Sequence, residues 1–211
     1  AKVHSFDNDV LSVACTMELE RRFFPNDVNW KIEEGDVLNI DYVKSLGKFD
    51  VVYSWGVLHH TGAMWKALAN VAPLVIEGGK LFISIYNDQG NASRRWARLK
   101  RFYNRSETPI KPIIVLGVGA YWEIRSALIR LMHFKNPLPF KDRDRKERER
   151  GMSVWHDLVD WVGGYPFEVA KPEEIFDFYR KRGFMLTKLK TCGGGLGCNE
   201  FVFRRDDIRV T

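Results

Sequence analysis

Apolar residues recur along this chain with two different periods. Phe49-Asp-Val-Val-Tyr-Ser-Trp55 is a short run with β-branched valines at its centre, too brief for an amphipathic helix, and it reads as a strand buried in a two-sided sheet. Lys80-Leu-Phe-Ile-Ser-Ile-Tyr86, launched by Gly78-Gly79, is the clearest run of the same kind. Ala1 to Phe6 alternates as a strand, and Trp30 to Ile32 makes a shorter one closed by Glu33-Glu34-Gly35-Asp36. Helical spacing fills two of the intervals. One helix spans Val10 to Phe23, capped by the Asp7-Asn8-Asp9 cluster and stopped by Pro25; the other runs from about Ala63 to Ala72. A polar link is expected from Asn39 to Lys48. This alternation of strands and helices is the rhythm of a parallel α/β sheet.

The rhythm breaks after Asn87. Residues 88–170 hold a basic aromatic segment from Arg94 to Tyr103, an apolar segment reaching Met132, and the charge run Lys141 to Arg150. That run mixes signs, which favours a solvated helix face or loop over a phosphate-binding patch. Order resumes at Lys171 with a helix that begins on Pro172 and ends before Gly183. Phe184–Lys190 and Glu200–Arg205, joined by the Gly-rich Cys192–Cys198 turn, predict an antiparallel edge hairpin. One domain in three parts follows: an α/β core (1–87), an insertion (88–170), and a terminal helix and hairpin (171–205).

Composition changes this picture little. The 211 residues, 45% hydrophobic and 28% charged, suit an ordinary globular protein, and a net charge of +6 permits an anionic partner without demanding one. Three cysteines, Cys15, Cys192 and Cys198, cannot all pair, so a reducing cytoplasm is the expected setting. No basic-then-apolar leader opens the sequence. The most apolar window, Pro112 to Trp122, stops at Glu123 and Arg125, short of the roughly 20 residues that span a bilayer, so no membrane span is expected.

Candidate chemistry gathers where strands end. Asp7 after Phe6 and Asp36 after Gly35 are carboxylates placed to accept hydrogen bonds from ribose hydroxyls and from an adenine amino group; either would also serve as a helix cap or turn acid. Ser54-Trp55-Gly56 ends a third strand. His59 and His60 follow within one turn, near-neutral imidazoles suited to a general base, or merely packing at a helix start. Tyr86 and Asn87 close the next strand. No metal site is expected.

In order and spacing, Asp7, Gly35-Asp36-Val37, Phe49 to Val52 leading to His59-His60, and Gly78-Gly79-Lys80-Leu81 resemble the motifs of the class I S-adenosylmethionine-dependent methyltransferases, most closely the small-molecule or quinone-type branch. The resemblance covers about residues 1–87 and 172–205. It implies a Rossmann-like, mostly parallel sheet with an antiparallel C-terminal hairpin and a helical insertion. It also implies S-adenosyl-L-methionine as cofactor and methyl transfer to a small-molecule acceptor. Phe6 and Asp7 would lie at the ribose, Gly35 and Asp36 at the adenine amine, Val37 on the adenine face, and Ser54 and Trp55 at the methionine end. His59 or His60 would act as base, with Tyr86, Asn87, Trp96, Trp161 and Tyr165 lining the acceptor side, the last two as part of a lid. Alternatives are an RNA methyltransferase using the basic insertion and a non-catalytic binding or scaffold domain.

One departure stands out. The family's first strand and glycine loop belong about twenty residues before Asp7, and the sequence opens six residues before it. Gly193, Gly195 and Gly197 lead into a strand where the loop needs a helix behind it. Gly117-Val118-Gly119 lacks the strand-end acid and fits an inserted helix better. The expectation is a sequence that starts at the second strand of the fold, binds cofactor weakly or not at all, and leaves a sheet edge open to a homo-oligomer.

Overall fold

The computed structural model describes residues 1–25, 27–137 and 153–206. The charge run Lys141 to Arg150 lies outside them. The chain divides into two compact units: Ala1–Asp88 with Val169–Thr211, and Gln89–Glu168.

The first unit is α/β. Strand β1 (Val3–Asp7) leads to helix α1 (Val10–Phe23), whose N-terminus is capped by Asp9: its carboxylate accepts from the Leu11 and Ser12 N–H groups at 3.4 and 3.0 Å. Strand β2 (Trp30–Glu34) pairs in parallel with β1, Asp7 facing Glu34. The expected polar link contains a six-residue helix, α2 (Ile40–Ser45), started by the Asn39 side chain, which accepts from the Asp41 and Tyr42 N–H groups. So short a helix leaves no periodic trace in the sequence. Strand β3 (Phe49–Trp55) is followed by a 3₁₀ turn at Leu58–His60, helix α3 (Met64–Val71) and strand β4 (Val75–Tyr86).

Gly78-Gly79 does not launch β4 but lies within it. Gly78 takes φ +75°, and a Cβ on Gly79 would press on the Asp50 carbonyl, so the two glycines carry the register irregularity between β3 and β4.

Two separate ladders result. β1 and β2 form one; β3, β4, β6 and β5 form the other in that order, with β3–β4 parallel and the hairpin of β5 (Phe184–Lys190) and β6 (Cys198–Arg205) antiparallel. β1 and β3 share no ladder; the ring of His4 meets that of Phe49 edge-on at 6.2 Å. The four-stranded sheet is covered on one face by α3 and by α7 (Pro172–Arg180). Leu81, Ile83, Phe201 and Phe203 pack there against Leu68, Ile175 and Tyr179, all at most 1% exposed.

The expectation of two-sided burial for Phe49–Trp55 is corrected here. Val52 packs against the core, but Val51 and Tyr53 are 60% and 63% exposed. The strand has a ladder on one edge only, and its odd-numbered face carries no described covering element.

The second unit is helical: α4 (Asn91–Arg105), α5 (Lys111–Met132) and α6 (Val154–Gly163). Val115, Val118 and Val162 form its centre, with Trp96, Trp122 and Trp161 packed around them. The segment expected to stop at Glu123 and Arg125 continues as one 22-residue helix, because charged side chains at exposed helical positions do not interrupt the backbone. By length and composition α5 is enough to cross a membrane. Gly117 and Gly119 lie inside α5, and a Cβ on Gly119 would press on Leu158.

Candidate active site

The α/β unit gathers most of the singled-out residues at the ends of its strands. At β1, the Asp7 carboxylate accepts the Asp9 N–H at 2.9 Å through Oδ1, and the Asp7 carbonyl accepts the Gly35 N–H at 2.9 Å. The two strand ends are therefore tied together. Asp36, the next residue, accepts the Leu38 N–H at 2.7 Å. Each carboxylate thus spends one oxygen on a local turn.

Their neighbours have packing roles. Phe6 meets Tyr42 edge-on at 5.3 Å, and a Cβ on Gly35 would overlap the Tyr42 ring, so glycine is required by that close approach. The Tyr42 hydroxyl donates to Glu33, which also accepts from Lys31 and His4. The Lys31 ammonium first, then His4 and Tyr42, hold the Glu33 carboxyl down at about 2 against the opposing effect of desolvation. Val37 is buried in the core, where the Asn70 amide donates to its carbonyl at 2.8 Å. Its side chain is committed to packing, which leaves Asp36 and the backbone to meet a ligand.

At β3, Ser54 is half-buried and Trp55 49% exposed, before Gly56 in the left-handed region at φ +79°. His59 is 1% exposed, and its Nδ1 accepts the Tyr86 N–H at 3.3 Å. That bond leaves the imidazole proton on Nε2. The rings of His59, His60 and Tyr86 form one cluster, with centroids 4.1 to 5.5 Å apart. His60 is the more exposed of the two imidazoles.

Beside this cluster lies a network that the sequence did not suggest. Buried Asn199 donates to Asn87 Oδ1 at 3.0 Å and accepts the Cys192 N–H at 3.1 Å, while the Asn87 N–H donates to the Gly197 carbonyl at 2.9 Å. The Gly-rich turn thus sits at the carboxyl end of β4, secured by two asparagines. A signal existed in Asn199, an amide at the same alternate positions of its strand as Phe201 and Phe203.

The remaining three residues belong to the helical unit. Trp161, expected in a lid, lies on α6, and its ring is 4.6 Å from both Trp96 and Trp122. Trp96 and Trp161 are therefore part of that unit's packed interior. Tyr165 follows the helix and accepts a hydrogen bond from Arg101 at 3.0 Å. Lys100, fully buried, donates to the Trp161 carbonyl and lies 4.2 Å above the Trp161 ring. Burial pulls its ammonium down to about 8, an effect the Asp160 charge partly opposes.

The strand-end acceptors fit the nucleoside end of an S-adenosyl donor. Asp7 and Asp36 sit on consecutive, hydrogen-bonded strand ends, each with a carboxylate oxygen beyond its turn bond.

Residues 6–83 match the family model described as a methyltransferase domain. Similar solved structures include PKMT2 from Rickettsia typhi (13% identity, 98% of this chain and 44% of that one, TM-score 0.58). An O-methyltransferase family protein from Burkholderia thailandensis is 12% identical over 99% of this chain and 44% of that one, with a TM-score of 0.51. Magnesium protoporphyrin IX methyltransferase from Synechocystis PCC 6803, a structure with bound SAH, is 13% identical over 98% of this chain and 65% of that one, with a TM-score of 0.52. At these identities the likeness concerns the fold. The chain spans less than half the length of the first two and about two thirds of the third. No curated protein matches the sequence.

Proposed function

We propose that this Rossmann-like α/β chain, whose residues 6–83 match the methyltransferase-domain model, is a class I S-adenosylmethionine-dependent methyltransferase and transfers a methyl group from that cofactor to a small molecule. The observation that carries this reading is the pairing of Asp7 and Asp36 at adjacent strand ends, joined by the Gly35 N–H to Asp7 carbonyl bond. Asp7 would hold the ribose hydroxyls, Asp36 the adenine amine, and the backbone at Ser54 and Trp55 the amino-acid end. Bound there, the cofactor supplies a methyl group on an electron-poor sulfonium, so the protein's task is to aim the acceptor.

His60 is our choice for the base. His59 Nδ1 is occupied by the Tyr86 N–H, so His59 fixes the ring cluster, while the more exposed His60 takes the acceptor proton. Tyr86 and Asn87 line the same strand end. NodS from Bradyrhizobium japonicum, an N-methyltransferase with a TM-score of 0.50, and the Synechocystis enzyme support a small acceptor. A cytoplasmic setting is part of the proposal, in keeping with the free thiols of Cys15, Cys192 and Cys198.

Methyl transfer assayed with a panel of hydroxylated and amine acceptors tests the proposal. Asp36→Ala is expected to abolish turnover and His60→Gln to lower it about 10²-fold or more. Full turnover in Asp36→Ala would remove this site from the reaction.

A further inference from the structure

Helix α5 presents three distinct sectors. Val115 and Val118 point into the helical unit, where Trp122, Leu158 and Val162 meet them. Opposite lies a second apolar sector that no element among the described residues covers. Ile113, Leu116, Tyr121, Ile124, Leu128 and Leu131 are 55% to 68% exposed. At about 100° per residue they fall within an arc of about 140°, and from Ile113 to Leu131 the stripe is about 27 Å long. Scattered exposed apolar residues are ordinary on any surface; six aligned on one helix form a patch that marks an interaction.

Charge identifies the partner. On the same helical wheel, Arg125 falls just beyond one edge of the arc, and Arg130 falls beyond the other, where Glu123 also lies. Residues 89–168 contain 16 basic and 9 acidic side chains, whereas the rest of the chain contains 17 and 18. The net positive charge of the protein therefore resides in the helical unit. An apolar stripe bordered by arginines suits a surface that is apolar within and anionic at its rim.

We propose that α5 docks the protein on an anionic phospholipid bilayer, lying in the interface with its exposed stripe in the acyl boundary and its arginines among the headgroups. Docking wins over crossing, although α5 is long enough to span. Glu123 and Arg125 fall at mid-helix, where a span would carry them to the bilayer centre, and Trp122 on the far side is packed against Trp96 and Trp161. In the interface the arginine stems extend back to water and the packed sector stays packed. A second copy suits the stripe less well, since pairing would bring together two helical units that each carry a net positive charge. RNA would use the arginines and leave the apolar stripe without a role.

The experiment is vesicle flotation of the full chain, with no methyl donor present, so its outcome is separate from that of the turnover assay. Against phosphatidylcholine vesicles containing phosphatidylglycerol at about one part in three, the protein is expected to float, and to bind pure phosphatidylcholine roughly tenfold or more weakly. Leu116→Asp with Ile124→Asp alters only exposed positions, so circular dichroism stays unchanged while flotation is lost. Arg125→Glu with Arg130→Glu is expected to weaken flotation and its salt dependence. Sodium carbonate at alkaline pH is expected to release the bound protein. The proposal is overturned if wild type does not float, if the double-Asp variant floats equally, or if carbonate fails to release the protein, which would mean insertion. It also fails if wild type is a dimer that the double-Asp variant dissociates, or if wild type binds RNA and the double-Asp variant loses that binding.

Discussion

The two units bury their apolar residues with opposite materials. In the α/β unit a sheet face of Leu81, Ile83, Phe201 and Phe203 meets two amphipathic helices, and the amides buried in the same unit, Asn70 and Asn199, are uncharged and hydrogen-bonded. In the helical unit three valines and three tryptophans share the centre with a buried lysine, and much of α5 remains exposed. A periodic sheet core is cooperative and insensitive to pH. An interior built around an ammonium group is not.

The largest expected effect breaks the first unit while sparing the second. Phe203 is fully buried, 4.8 Å from the Tyr179 ring and 5.9 Å from that of Phe201. Phe203→Ala is expected to cost about 3–5 kcal/mol. Hydrogen exchange should show the amides of β3–β6 losing protection while those of α4–α6 keep theirs; equal loss in both would erase the comparison.

Lys100 comes next. Its folded pKa lies below the unfolded value of 10.5, at about 8, so the folded state releases the proton first. The penalty of burying its charge is fully present below pH 8 and is relieved as pH rises from 8 to 10.5. The helical unit should therefore gain about 2–3 kcal/mol across that window. Lys100→Met should flatten the profile, as followed by tryptophan fluorescence during urea unfolding.

Two smaller effects concern β1, β2 and α1. Asp9→Ala removes the α1 cap and should lower the melting temperature by an amount equivalent to about 1 kcal/mol. Glu33, held near 2 by Lys31, His4 and Tyr42, contributes stability present above its unfolded pKa of about 4.5 and lost as pH falls toward 2. Glu33→Gln should remove that acid limb from the β1 and β2 amide signals.

The same contrast governs what the sequence discloses. Strand–helix alternation gave α1 to the residue and both strands of the hairpin within two, because a sheet face imposes one period on each element. The exposure of Val51 and Tyr53 was not legible: a valine run signals burial, and nothing local reports whether a neighbouring strand is present. The helix α2 depended on a single capping asparagine. The strand-end acids could be located because carboxylates at such positions are conspicuous. Trp161 could not be assigned, since an aromatic two residues before a glycine pair reads equally as loop or helix end. Likewise, nothing in the local sequence distinguishes His59 from His60; only the Tyr86 N–H, 27 residues away, separates their chemistry.

The central claim is that Asp7 and Asp36 mark a nucleoside site. A titration of the isotope-labelled chain with S-adenosylhomocysteine, followed by backbone amide shifts, tests it directly. The account predicts weak binding, on the order of 0.1–1 mM, because β1 and β3 share no ladder to hold their ends in register around a ligand. The shifts should concentrate at residues 7–9, 35–38 and 54–57 and vanish in Asp36→Ala. Shifts confined to other residues, or none at millimolar ligand, would contradict it.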